Sequence, residues 1–333
     1  MRTAFLAISA SFLACGGNNN KTIDAPIIDS SVDAGSGSGS NPGSNGSSFA
    51  IDGFGNGLYW DATANALFFT EKVSGSGNAL AKWTDAGGIE VVASLDGVGS
   101  ANPGELVQLA DGSFITPQFS SSNTNNGIIH IVGSTATLLL EAAGSGSGQG
   151  SNVGDYRSVG LTLGSNGTTI YQSAFTKGTS FAGFILQTVL TGSAAEQSVF
   201  AQGGGTNTVG KVVGLVANAD GSFILGDQSD NTFWKVSAQG ALTPFVAVYT
   251  HPDLLLQLPN GDLLDGGGSA IAGRTQAINH IALADGTVTP LSFPGFTFTY
   301  VGGMAYDPVG HRLFVDDQTG SANDTFDVLP YTP

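Results

Sequence analysis

Acidic and polar side chains recur at fairly even intervals along this 333-residue chain, and their types suit hydrogen bonding, cation binding or proton transfer. One row is Glu71, Gln118, Gln172, Asp227, Asp265 and Asp317; a second is Asn56, Glu105, Arg157, Lys211, Asp253 and Tyr300. A mostly acidic ring with an Arg and a Lys in it can take a cation, a sugar or the basic end of a peptide. Asp227, Asp265 and Asp317 are the residues a divalent metal such as Ca²⁺ would use, because a hard cation wants oxygen ligands. The same residues can equally close strand ends by accepting backbone N–H groups, which need partners wherever they are buried. Both readings stay open on sequence alone.

Other chemistry is thin. His130 and His280 fall at a third-strand position shared with Lys82, Gln187, Lys235 and Asp327, which marks a solvent-facing row rather than a metal site. His251 and His311 lie in turns. DQSDN (Asp227 to Asn231) and DDQTGSAND (Asp316 to Asp324) carry oxygen enough for a loose Ca²⁺ site but lack EF-hand spacing. There is no G-x-S-x-G elbow, H-E-x-x-H or Walker loop, so no residue is assigned as catalytic and no cofactor beyond Ca²⁺ is expected.

The elements that position these residues form a repeat. Six units share one order: apolar strand, turn, apolar strand, polar stretch, two more short strands. The second strands ALFFTE, SFITPQ, TIYQSA, SFILGD, DLLDGG and RLFVDD follow hairpin turns rich in Asn, Asp and Gly. The sixth unit reaches Pro333 without a fourth strand, while Ser48 to Gly53 precede the first unit unemployed. The expectation is an all-β, six-bladed β-propeller over 48–333, with the segment 48–53 as the outer strand of the last blade. Such closure removes an exposed edge. A pair of β-sandwiches would not explain six like units.

Composition narrows the partners. Net charge is −16 with only ten Lys and Arg, which excludes a basic footprint for nucleic acid. Glycine (50 residues) and a charged fraction of 11% favour strands and turns over helices. Arg2 precedes an apolar run, Thr3 to Ala14, too short to span a bilayer at about 20 residues. The only cysteine, Cys15, follows, and Gly16 to Ser48 is a Gly/Ser/Asn-rich stretch without hydrophobic period. This start resembles a bacterial lipoprotein signal, in which the cysteine is lipidated; an ordinary secretory signal cut near Ala14 is the alternative. The resemblance implies a signal peptide at 1–14, a disordered tether at 15–47 and an outer-membrane lipoprotein in a Gram-negative-type cell envelope. A monomer is expected, its membrane contact made through the lipid.

GNGLYWDATANALFFTEK resembles the opening blade of the gluconolactonase/SMP-30 group, and VGLVANADGSFILGDQ and GGMAYDPVGHRLFVDDQ resemble the NHL-type pattern. The resemblance implies a propeller, and in that group a divalent cation held over the channel by a Glu, two Asn-type positions and an Asp. Here the Glu position is Asn56, the two Asn positions are Val159 and Val213, and an acidic strand end survives at Asp227. The expected function is therefore a membrane-tethered, non-enzymatic propeller that binds a protein, peptide or carbohydrate through its loop face. The alternative is a lactonase-type hydrolase with a rearranged cation site.

Overall fold

The computed structural model describes residues 46–51, 53–73, 77–98, 102–119, 127–139, 156–176, 181–191, 194–203, 208–248, 251–267, 278–318 and 324–333. The expected signal, Cys15 and the tether lie outside them.

The described chain is all-β and forms a six-bladed propeller. A short strand β1 (Ser47–Ala50) comes first. Blade one is β2 (Phe54–Asp61), β3 (Ala66–Val73), β4 (Gly77–Thr84) and β5 (Gly88–Ser94). Blade two is β6 (Asn102–Pro103), β7 (Val107–Gln108), β8 (Phe114–Phe119), β9 (Gly127–Val132) and β10 (Thr135–Leu138). Its inner strand is split, so that β6 and β7 both pair with β8. Blade three is β11 (Tyr156–Leu163), β12 (Thr169–Thr176), β13 (Gly183–Thr191) and β14 (Ala194–Gln202). Blade four is β15 (Val212–Ala217), β16 (Phe223–Asp227), β17 (Thr232–Val236) and β18 (Leu242–Ala247). Blade five is β19 (Leu255–Gln257), β20 (Leu263–Asp265), β21 (Ile278–Ile281) and β22 (Val288–Leu291). Blade six is β23 (Val301–Asp307), β24 (Arg312–Asp317), β25 (Thr325–Pro330) and, from the other end of the domain, β1.

The closing strand pairs antiparallel with β25, Ser47 opposite Val328 and Ala50 opposite Thr325. The expected segment thus closes the ring, starting one residue earlier and ending three sooner than 48–53. Its burial is lopsided: Phe49 turns inward while its neighbours face solvent. Phe49 stacks on Trp83 of blade one and meets Phe326 of blade six edge-on.

The apolar interior lies between blades, not at the centre. Phe68, Leu80 and Leu95 of blade one pack with Leu106, Phe114, Ile129 and Ile131 of blade two. Val216, Ile224 and Phe233 of blade four pack with Leu255, Leu263 and Ile281 of blade five. This leaves the innermost strands free to carry polar groups, and those of neighbouring blades touch.

Inner strands come close because glycine lines their contacts. A Cβ on Gly160 would sit 2.0 Å from the Val213 carbonyl oxygen, and one on Gly214 would sit 2.2 Å from that of Asp253. Each glycine sits in a β-bulge, where pairing slips between Ser158 and Leu161 or between Val212 and Leu215. Bulges sharpen local twist and re-aim side chains, which suits strands that must converge on an axis.

Candidate functional site

The bulges define one level around the channel. Asn56, Val159 and Val213 each stand two residues before a leucine whose partner lies in the second strand: Leu58 opposite Phe69, Leu161 opposite Gln172, Leu215 opposite Leu225. In blade five, Leu255 pairs with Asp265, which places Asp253 at that same level. Glu105 lies in the break between β6 and β7, where its N–H donates to the Val159 carbonyl at 3.0 Å. The strand-pairing register therefore brings Asn56, Glu105 and Asp253 to the channel together with two valines.

Asp253 is the most connected of them. Its Oδ2 accepts the Tyr300 hydroxyl proton from blade six, and its backbone N–H points to Asp265 Oδ1 at 3.4 Å. Burial pushes its carboxyl up to about 6; the Tyr300 hydroxyl and the Lys211 ammonium pull it down, and the Asp265 charge pushes it up again. Lys211 also leans over the Phe175 ring, 5.9 Å from its centroid. Glu105 is half-buried, its carboxyl walled in by protein. Burial carries its carboxyl to about 8, against the Leu161 N–H donated to Oε2 at 2.7 Å and with the Asp253 charge adding to the rise.

The row at the ends of the second strands behaves differently. Glu71 pairs with Gly55, Asp227 with Val212 and Asp317 with Val301, so these three share one level. Gln118, opposite Pro103, is placed there by backbone pairing, and its side chain lies outside the described residues. Gln172 and Asp265 sit two residues lower, opposite Leu161 and Leu255.

The three candidate metal ligands already accept hydrogen bonds from protein N–H groups. Asp227 accepts Gly210 N–H at 2.6 Å and Ser229 N–H at 2.8 Å. Asp317 accepts Thr299 N–H at 2.7 Å and Tyr300 N–H at 3.1 Å. Asp265 accepts Gly267 N–H at 3.2 Å and Asn279 Nδ2 at 3.4 Å. Among the described residues no group of three or more His, Cys, Asp or Glu could hold a metal ion. The donor set at the channel level does not fit a hard cation either. Valine replaces oxygen at two positions, Glu105 and Asp253 already accept hydrogen bonds, and Ca²⁺ takes six to eight oxygens. Among the described residues the rearranged cation site is not assembled.

Gln172 is also absorbed by structure. Its amide lies inside blade three, donating to Ser158 Oγ at 3.0 Å and accepting from Gln197 Nε2 at 3.1 Å, while Tyr156 donates to Gln197 at 3.0 Å. Arg157 and Tyr300 are half-buried at the starts of inner strands, and Asn56 is buried.

The histidine row is in register at His130, which faces Ile115, and at His280, which faces Leu264; Asp327 falls one residue out of it, facing Val315 where Val328 faces Phe314. Asp327 departs from it also in being buried, because the closing strand covers it and Ser48 Oγ donates to it at 2.6 Å. His130 bonds Ser113 Oγ, which itself donates to Asp111 at 2.6 Å; a serine that gives its proton to a carboxylate is not activated by a histidine.

The row read from the sequence includes Asp253, but as one member of a binding ring and not as an acid or base. The signal was one of alignment: Asp253-Leu254-Leu255 is the blade-five counterpart of Asn56-Gly57-Leu58. Asp316 and Asp324 are legible in the sequence only as the ends of a segment with oxygen enough for a loose Ca²⁺ site. Both are fully buried.

No protein-family model and no curated protein matches the chain. Solved structures do. A gluconolactonase from Xanthomonas campestris superposes with TM-score 0.61 at 14% identity, covering 86% of this chain and 90% of that one. Regucalcin from Agrobacterium tumefaciens, described as a calcium-binding protein, gives 0.59 at 12%, covering 85% and 93%. Virginiamycin B lyase from Staphylococcus aureus gives 0.53 at 13%, covering 86% and 99%. At these identities the likeness is one of fold: the chain is a six-bladed β-propeller whose structural neighbours include gluconolactonase-like proteins.

Proposed function

We propose that the protein is a hydrolase of small cyclic esters, working by acid–base chemistry at the channel mouth. The observation that carries this reading is that two carboxyls, Asp253 held by Tyr300 and Glu105 held by Leu161 N–H, stand at one level of the channel, where burial raises the first to about 6 and the second to about 8. Two carboxyls pushed apart in this way divide into a base and an acid near neutral pH.

At pH 7 Asp253 is mostly ionised and Glu105 mostly protonated. Asp253 takes a proton from water, and that water attacks the ester carbonyl. Negative charge then develops on the carbonyl oxygen, where the Lys211 ammonium offsets it. Glu105 gives its proton to the ring oxygen as the C–O bond breaks, yielding a hydroxy acid. Leu161 N–H occupies Oε2, which leaves Oε1 to carry that proton. Tyr300 holds the Asp253 carboxylate in place.

The fold likeness to gluconolactonases supports a sugar lactone as the first substrate to try. Export and lipid anchoring at Cys15 belong to the same proposal and would place this activity in the cell envelope. Turnover of a panel of sugar lactones, compared between the wild type and Asp253→Asn, is the test. Hydrolysis that Asp253→Asn abolishes supports the reading; a folded protein that only binds the lactones returns it to a binding propeller.

A further inference from the structure

The chain passes from the last blade into the first through a seam built on Gly55. Asp324 clasps that seam three times. Its N–H donates to Gly53 O at 2.7 Å, its carbonyl accepts Ile51 N–H at 3.1 Å, and its Oδ2 accepts Gly55 N–H at 2.9 Å. Asp316 completes the other side. Gln318 Nε2 donates both to Gly55 O at 3.0 Å and to Asp316 Oδ2 at 3.1 Å. A Cβ on Gly55 would lie 2.9 Å from Asp316 Oδ1. Both carboxyls therefore close on one glycine.

One oxygen of each is left over. Asp316 Oδ1 and Asp324 Oδ1 are buried and have no hydrogen-bond partner among the described residues, and both residues are 0% exposed. The charges acting on the pair are those of Asp317, beside Asp316 on β24, and Asp253, just before β19. Both are negative, and no Lys, Arg or His among the described residues acts on the pair. Asp327 on β25 and Glu71, opposite Gly55 on β3, are the further carboxylates of the packed elements. Two buried carboxylates that act on each other without a counter-ion are costly; one proton on the pair removes a charge. A cation would need more oxygens than the two left free.

We propose that Asp316 and Asp324 share a single proton, and that this proton latches the seam where the propeller's last blade meets its first. Burial holds Asp316 above the usual carboxylate range and carries Asp324 to about 7, as the latch requires. A carboxyl raised in the folded state binds more protons there than when unfolded. The latch's contribution is therefore full below the unfolded carboxyl's pKa, about 4, and is lost as pH rises through about 7.

Thermal unfolding midpoints of the wild type, Asp316→Asn and Asp253→Asn, read from about pH 5 to about pH 8.5 with and without millimolar CaCl₂, test this. The wild type is expected to lose about 3–5 °C more over that range than Asp316→Asn, whose amide is neutral throughout. Asp253→Asn should keep the seam's share of the slope. If Asp316→Asn fails to fold, infrared spectra of the Glu105→Gln, Asp253→Asn double variant replace it. They should show a protonated-carboxyl band that bleaches between about pH 6 and pH 8. Equal slopes in the wild type and Asp316→Asn, or no such band, would overturn the proposal. So would a calcium-induced rise in the wild-type midpoint that Asp316→Asn lacks, since the pair would then hold a cation.

Discussion

Phe49 lies parallel to Trp83, their ring centroids 4.8 Å apart and their planes within 6°. One residue belongs to the closing strand of blade six and the other to blade one, so this stack ties the two ends of the ring across the joint. Trp60 and Phe314 repeat the arrangement at the same junction, 5.2 Å apart. Replacing Phe49 by Ala removes the stack and the edge contact with Phe326. We expect a loss of about 2 kcal/mol, seen as a lower midpoint in urea with an unchanged slope. Ser47→Ala, at an exposed position of the same strand, should cost almost nothing.

Arg312 tests the same junction electrostatically. Its Nε and Nη2 reach Asp307 at 2.9 Å, its Nη1 reaches Asp85 at 2.9 Å, and its guanidinium lies 5.1 Å from the Trp60 ring. Asp85 is exposed and Asp307 buried. Asp85→Ala should therefore change stability by less than about 0.5 kcal/mol. Arg312→Ala strands a buried carboxylate and should cost about 2–3 kcal/mol, measured by the same denaturation.

The glycine contacts between inner strands predict a sharper effect. Gly160→Ala puts a methyl group 2.0 Å from the Val213 carbonyl oxygen, and neither backbone can yield without opening the ring. About 3 kcal/mol of destabilisation is expected. Gly112→Ala, whose Cβ meets nothing within 4 Å, should show only the cost of its positive φ of 84°.

Blades, hairpins and the missing strand were legible because alternation and turn residues report directly on backbone pairing. SFILGD and RLFVDD became β16 and β24 as read. The site was less legible, for a physical reason. Polar residues fall at different distances along the second strands: Gln172 comes two residues after Ile170, whereas Asp227 comes four after Phe223, the counterpart of Ile170 in its own hairpin. Bulges add a residue to four inner strands, so that equal spacing in sequence does not mean equal depth in the channel. Arg157, Lys211 and Tyr300 enter two residues before the level of Asn56 and Asp253, while Gln172 and Asp265 lie two residues below Asp227 and Asp317 on their own second strands. Nor can sequence say that Asp227 and Asp317 meet backbone N–H groups, since those donors come from loops whose path no periodicity encodes.

Cys15 supplies a prediction about place. If it carries lipid, Cys15→Ala moves the protein from the membrane pellet to the soluble envelope fraction while lactone turnover stays unchanged. Retention of Cys15→Ala in the pellet would remove the anchor from the proposal and leave the channel chemistry untouched.

The channel chemistry itself is tested most directly by the pH dependence of kcat/KM on a sugar lactone, for the wild type, Asp253→Asn and Glu105→Gln. A bell with limbs near pH 6 and pH 8 is predicted for the wild type, set by Asp253 below and Glu105 above. Asp253→Asn should lose at least about 100-fold and the acid limb, and Glu105→Gln should lose the alkaline limb. Wild-type rates in a folded Asp253→Asn variant, or a flat profile, would contradict the account.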